Sequence, residues 1–278
     1  MHLPLDDAEL EAHVSWLHHG MKCSKLHIHR ENSTVDDVLG FSVNVCSVDH
    51  LVDLQLRLGV DHNILSPACL AEAVQQLLQC CQFLQRLHLV NASHAYTLGD
   101  AASIVVHEQQ GARLTDLHLE SFPCKELDFS RSPSLTSLEL ITVDSPGVTA
   151  AFELLLPPLM QTFVFTGSYL LKPTSKLFMK DCKHLTKLVL RTRIQYEAFS
   201  WHCHNELPVL PSTLLHLELD ANDWIKQCDW HCLDACSNLE RLTLPNRSYV
   251  SGDASSAQLK AWVAAARHLH VLDFRNKM

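Results

Sequence analysis

Histidine and cysteine are the residues best suited to chemistry in this chain, with 19 and 11 copies among 278 residues. Cys228, His231, Cys232 and Cys236 follow one another at spacings of three, one and four. On a helix such spacing brings a cysteine–histidine or cysteine–cysteine pair within reach of one zinc ion. All three thiols cannot share that ion, because helical rise carries Cys228 and Cys236 about 12 Å apart, far beyond a site with Zn–S bonds of about 2.3 Å. A further ligand would have to come from His202, Cys203 or His204. The simpler reading makes these cysteines small core residues on a buried stripe with Ile225 and Leu233. On that reading no metal and no cofactor is expected. The alternative it leaves is a zinc- or redox-responsive protein that uses its cysteine- and histidine-rich segments.

His88 and His118, near Asp116 and Glu120, could imitate an acid–base pair, but an open sheet offers little burial to tune their protonation. No phosphate loop, dinucleotide fingerprint, zinc-protease helix or nucleophile elbow is present, and the eight glycines are isolated. The chain is therefore expected not to be an enzyme. A net charge of -9 and a pI near 6.1 disfavour nucleic acid and anionic membranes, whose binding depends on basic surface. A protein partner with a basic surface suits it better. There is no long apolar run and no leader-like start, so an intracellular protein, cytoplasmic or nuclear, with reduced cysteines is expected. With 19 histidines, acidification is expected to reverse the sign of the charge.

These residues are positioned by a recurring frame. Cys236, Leu239, Leu242 and Leu244 spell CxxLxxLxL, and the same spacing returns at Cys81, Leu84, Leu87, Leu89 and at Cys182, Leu185, Leu188, Leu190. Other small or medium residues replace the cysteine elsewhere, as in Pro211 before Leu214, Gly111 before Leu114 and Ala266 before Leu269. The middle markers are Leu26, Leu54, Leu87, Leu117, Leu138, Phe163, Leu188, Leu217, Leu242 and Leu272, on average about 27 residues apart. Self-similarity at that period signals a solenoid. Within a frame the apolar residues alternate with polar ones, as in half-buried strands. Between frames the period becomes helical: Ser66 and Pro67 open one helix, Ser145 and Pro146 another, Asp253 a third, and Asp6 or Asp7 the first.

Strands of one direction joined by crossing helices lie parallel. Because helices need more room than strands, the stack is expected to curve with its strands inside. Two segments break the pattern. Cys124 to Phe129 lies too close to its neighbours for a coil of its own and is read as a strand on the outer side, and Phe41 to Val48 as another.

Frames of this kind after a helix resemble the irregular, helix-bearing leucine-rich repeats of ribonuclease-inhibitor-like proteins and of F-box-associated repeat domains. The resemblance covers the whole chain and implies an α/β fold: a single curved leucine-rich repeat solenoid over 1–278 of about ten repeats, with parallel strands on the concave face and mostly helices on the convex face. It also implies a protein-binding concave surface, as in substrate recognition by a ubiquitin-ligase-type assembly. The family's turn asparagine is matched only by Asn222, with Phe122, Gly59, Val143 or Arg193 at other coils. No F-box-like segment stands before the repeats, and neither end carries an evident cap. The last strand is therefore expected to present an open edge for further chain or a partner.

The positions between the leucines are expected to line the binding face. In mid-chain they are Asp116, His118, Glu120, Glu139, Ile141, Val164, Thr166, Lys187, Val189, Arg191, His216 and Glu218. Asp116, Glu120 and Glu139 form an acidic stretch, and Ile141, Val164 and Val189 are read as one apolar row beside it. Such a pairing suits a hot spot for a partner with a basic rim. The function expected is a non-catalytic protein-interaction module.

Overall fold

A computed structural model describes residues 2–4, 24–30, 50–58, 67–91, 102–105, 112–121, 124–141, 153–167, 176–179, 181–191, 210–220, 233–245 and 253–275. The chain divides into two compact units, Met1–Ala150 and Ala151–Met278. Each is built on a parallel β-solenoid.

The first unit contains, in order, β1 (His2–Pro4), β2 (Lys25–Arg30), β3 (Asp53–Leu58), α1 (Pro67–Cys80), β4 (Arg86–Asn91), β5 (Ala102–Val105), β6 (Asp116–Glu120), β7 (Cys124–Asp128) and β8 (Ser137–Ile141). Strands β1, β2, β3, β4, β6 and β8 pair in that order, all parallel, while β5 pairs with β7 in a second sheet. The second unit contains β9 (Glu153–Leu155), β10 (Thr162–Thr166), β11 (Lys176–Phe178), β12 (Lys187–Arg191), β13 (His216–Asp220), β14 (Arg241–Pro245), α2 (Asp253–Ala265) and β15 (Val271–Arg275). Here β10, β12, β13, β14 and β15 form the longer parallel stack, and β9 pairs with β11.

The frames stand in register. Leu26, Leu54, Leu87, Leu117 and Leu138 are successive partners in the first unit, as are Phe163, Leu188, Leu217, Leu242 and Leu272 in the second. All but Leu272 are buried. The alternation of leucine with polar residues thus does what a pleated strand requires, sending every second side chain into the spine. Leu272 is 38% exposed, and β15 pairs along one edge, with β14.

The first residue of the frame closes the turn into the strand. The amide of Leu84 donates to the carbonyl of Cys81, Leu185 to Cys182, Leu214 to Pro211, Leu239 to Cys236 and Leu135 to Ser132. Cys81, Ser132, Cys182 and Cys236 are buried. The Cys182 thiol lies 3.4 Å from the carbonyl of Pro157, 25 residues earlier, so it rests on the coil before it. Close packing on the preceding coil favours a compact residue at this position, cysteine, serine or proline.

Adjacent coils are fastened at the start of each strand, where two successive amides share one carbonyl of the preceding coil. Gln85 and Arg86 donate to Val52, Thr115 and Asp116 to Gln85, and Thr136 and Ser137 to Thr115. In the second unit Thr186 and Lys187 donate to Gln161, Leu215 and His216 to Thr186, and Glu240 and Arg241 to Leu215. Threonine hydroxyls reinforce this seam: Thr115, Thr136 and Thr186 each donate to the same carbonyl as their own amide.

The second layer is where expectation and structure part. Helices were expected to cover it, but among the described residues there are two, α1 and α2, and strands β5, β7, β9 and β11 occupy the remainder. Leu117 and Leu138 are 21 residues apart, and 25 separate Leu138 from Phe163 and Phe163 from Leu188. Coils that short have little room for a helix and two connections. The two helices sit in coils of 33 and 30 residues, between Leu54 and Leu87 and between Leu242 and Leu272. Helix α1 starts at Pro67 and α2 at Asp253, as read from their capping residues. The indole of Trp262 anchors α2 by donating to the carbonyl of Leu233, at 3.0 Å. Strand β7 belongs to the second layer, as expected for Cys124 to Phe129, whereas β1 was not anticipated. The expected helices at Asp6 or Asp7 and after Pro146, the strand at Phe41 to Val48, and the turn positions Phe122, Gly59, Val143, Arg193 and Asn222 lie outside the described residues.

Candidate binding face of the parallel strands

Positions flanking the spine leucines project from the opposite side of each stack, and the register arranges them in rows. The first unit has a row Gln55, His88, His118, Glu139 through the middles of β3, β4, β6 and β8. Beside it run Asp53, Arg86, Asp116, Ser137 and Arg57, Val90, Glu120, Ile141. The second unit has Thr162, Lys187, His216, Arg241 and, next to it, Val164, Val189, Glu218, Thr243. Thr166 is aligned with Arg191.

Direct pairing of neighbours consumes much of the charge on these rows. Arg86 Nη2 lies 2.8 Å from Asp53 Oδ2, and Asp53 is buried. The acidic stretch is tied to histidine: His118 Nδ1 donates to Glu139 Oε2 at 2.9 Å, and its Nε2 lies 3.8 Å from Glu120 Oε2. The His88 and His118 rings sit side by side with centroids 3.9 Å apart. Neither His88 Nε2 nor His118 Nε2 has a hydrogen-bond partner, although both atoms are buried.

The expected apolar row needs correction. Ile141 is the last residue of β8 and shares its row with Glu120, whereas Val164 and Val189 are mid-strand residues facing each other. A shift of two along a strand keeps the face but changes the row. Val189 is 1% exposed and Glu218 3%, so both are withdrawn from the surface on which they were placed. Glu218 is covered by Arg191, whose Nε and Nη2 reach its two carboxylate oxygens at 2.6 and 3.3 Å. Val164, Lys187 and His216 stay half-buried.

No protein-family model, curated protein or solved structure matches the chain. What its surface can do follows from its own residues.

Two histidines on these rows resist protonation. Burial lowers the pKa of His88, His118 lowers it further, and Glu120, Glu139 and Asp53 oppose the shift. Burial also lowers His216, assisted by Lys187 and Arg241 on the strands either side and by Arg191, against Glu218. As pH falls below the ordinary value of about 6.5, the unfolded chain takes up these protons before the folded one does. Stability from these sites is therefore complete above that pH and declines below it. Urea midpoints are expected to fall between about pH 7.5 and 5.5, and to fall less in the His88→Gln/His216→Gln variant. Equal pH dependence in both proteins would contradict the assignment.

Cys182 is a poor redox centre. Cys81, Cys182 and Cys236 are buried and in no disulfide, and burial followed by the charge of Asp181 pushes the Cys182 thiol up to about 11. Since the thiolate is the reactive form, this thiol is inert at neutral pH. Of the four residues weighed as a zinc set, Cys236 closes a frame turn, while Cys228, His231 and Cys232 lie outside the described residues, as do His202, Cys203 and His204. Among the described residues no helix is long and apolar enough to cross a membrane.

Proposed function

We propose that the chain is a non-catalytic protein-interaction module that binds its partner on the rows flanking the spine. The observation that carries this reading is the register: successive frames align so that non-leucine side chains of many coils fall on one side of each stack. A broad, shallow ribbon of half-buried polar and apolar side chains suits a macromolecular surface better than a small substrate. Asp116 and Glu120 favour a partner with a basic rim. The frames resemble irregular leucine-rich repeats, and by that resemblance the setting is the recognition part of a larger intracellular assembly, such as a ubiquitin-ligase adaptor.

Val164 is the most direct test. It is half-buried mid-strand and lies beside Val189. Val164→Arg is expected to lose the partner captured by the wild-type chain, with affinity down at least about tenfold, the scale of a single hot-spot residue. The unfolding midpoint should hardly move. Glu153→Lys, on β9 of the same unit's second layer, should retain the partner. Equal capture by Val164→Arg and wild type would remove this row from the binding surface.

A further inference from the structure

We propose that His88, His118 and Glu120 form a binding site for one divalent transition-metal ion, with zinc as its natural probe. One donor atom from each of the three lies within 4.8 Å of the other two, on three half-buried residues. The fold creates this convergence in two steps. Parallel pairing of β4 with β6 sets His88 directly opposite His118, at the strand spacing of about 4.8 Å. Strand alternation then returns Glu120, two residues beyond His118, to the same face.

Three further observations point to a ligand. First, His88 Nε2 and His118 Nε2 are both buried without a hydrogen-bond partner, a costly state for two imidazoles whose rings are in contact. Second, His118 gives its other nitrogen, Nδ1, to Glu139 at 2.9 Å. In the neutral ring that contact places the proton on Nδ1 and the lone pair on Nε2, 3.8 Å from Glu120 Oε2, the carboxylate–histidine arrangement that supports metal ligands. Third, burial keeps His88 neutral, which a ligating imidazole must be.

The fit to a tetrahedral ion is close. Bonds of about 2.0–2.1 Å place neighbouring donor atoms about 3.4 Å apart. His118 Nε2 and Glu120 Oε2 are already 3.8 Å apart, and the three donor atoms all lie within 4.8 Å of one another. Three protein donors leave a fourth position for water or for a donor atom brought by another molecule. Imidazole with carboxylate selects zinc, copper or nickel over magnesium and calcium, which prefer all-oxygen shells.

The experiment uses the full chain, stripped with a chelator and titrated with zinc against a chromogenic competitor, then with cobalt(II). Wild type is expected to take up one equivalent that His88→Ala and His118→Ala lose. His216→Ala and Cys228→Ser/Cys232→Ser should keep it. Glu139→Ala removes the support of His118 and should weaken binding about 10- to 100-fold, as loss of an outer partner typically does. Glu120→Gln, which scarcely alters shape, provides a second test if a histidine variant fails to fold. The cobalt form should show visible bands of tetrahedral type without thiolate charge transfer. The proposal is overturned if wild type takes up no zinc, if the bound equivalent survives in His118→Ala and Glu120→Gln, or if it disappears in the cysteine variant.

Discussion

Phe163→Ala is expected to destabilise the second unit by about 3–5 kcal/mol, the cost of truncating a fully buried phenylalanine. Phe163 is the one aromatic among the ten spine markers; it is 0% exposed and faces Leu188 across the β10–β12 pair. Phe165, two residues on, is buried beside Leu190 in the same way. Removing one ring forfeits its burial and leaves a void that coils pinned by their backbones cannot close. Against a typical total of about 5–15 kcal/mol, that loss is a large fraction. Trp201, Trp224, Trp230 and Trp262, four of the five tryptophans, fall within the second unit and Trp16 within the first, so fluorescence during urea unfolding reports mainly on the second. Phe163→Leu, which restores the residue found at the other nine markers, should cost clearly less. A penalty for Phe163→Ala below about 1 kcal/mol, the level of an average substitution, would show that this frame does not point into a packed spine.

The second large effect concerns charge. Arg191→Ala is expected to cost about 3 kcal/mol, the lower end of the range for breaking a buried ion pair. Glu218 is almost wholly buried, whereas the Arg191 side chain is 36% exposed, so removing the arginine takes a two-pronged contact from the member that solvent can least compensate. Arg191→Lys should fall between, because an ammonium keeps the charge but not the two-pronged contact. Replacing both residues together, as in Arg191→Met/Glu218→Leu, should recover most of the loss, since the desolvation penalty disappears along with the attraction. The double-mutant cycle measures this coupling directly. A single Arg191→Ala variant within about 0.5 kcal/mol of wild type, as at an ordinary surface site, would mean that the pair contributes nothing.

The spine was legible from the residues because leucine, alternation and spacing all bear on one side of a strand. Nine of ten markers are buried, and Leu272 is the exception because β15 lies at the end of its stack. The second layer was less legible. Helical periodicity identified α1 and α2 correctly, but it gave no warning that β5 and β9 would be strands, since three or four residues such as Ala-Ser-Ile-Val carry no readable period. Coil length accounts for the strands β7, β9 and β11, in coils of 21 and 25 residues, but not for β5, which lies between Leu87 and Leu117, 30 residues apart like the markers either side of α2.

On the face opposite the spine, the strand positions could be read from the frames, whereas burial and partnerships could not, as the buried Val189 and Glu218 show. The acidic stretch looked unopposed because lysine and arginine are missing from it, yet His118 Nδ1 donates to one of its carboxylates, Glu139. Arg191 and Glu218 were both read as facing a partner, and they face each other instead. His88 and His118 stand together in the sequence reading, and writing the frames one above another adds Glu139 to them. The middle positions then read Gln55, His88, His118 and Glu139, a row that places two imidazoles and a carboxylate side by side.

The shared carbonyls at the strand starts bear on how such a chain can change over evolutionary time. Because the seam between coils is made largely of main-chain atoms, no particular side chain on the face is needed to hold it. Substitutions on that face can accumulate without loosening the stack, except where, as at Arg191 and Glu218, two of them have become mutually dependent. A stack sewn together in this way can keep its architecture while the side chains of that face change.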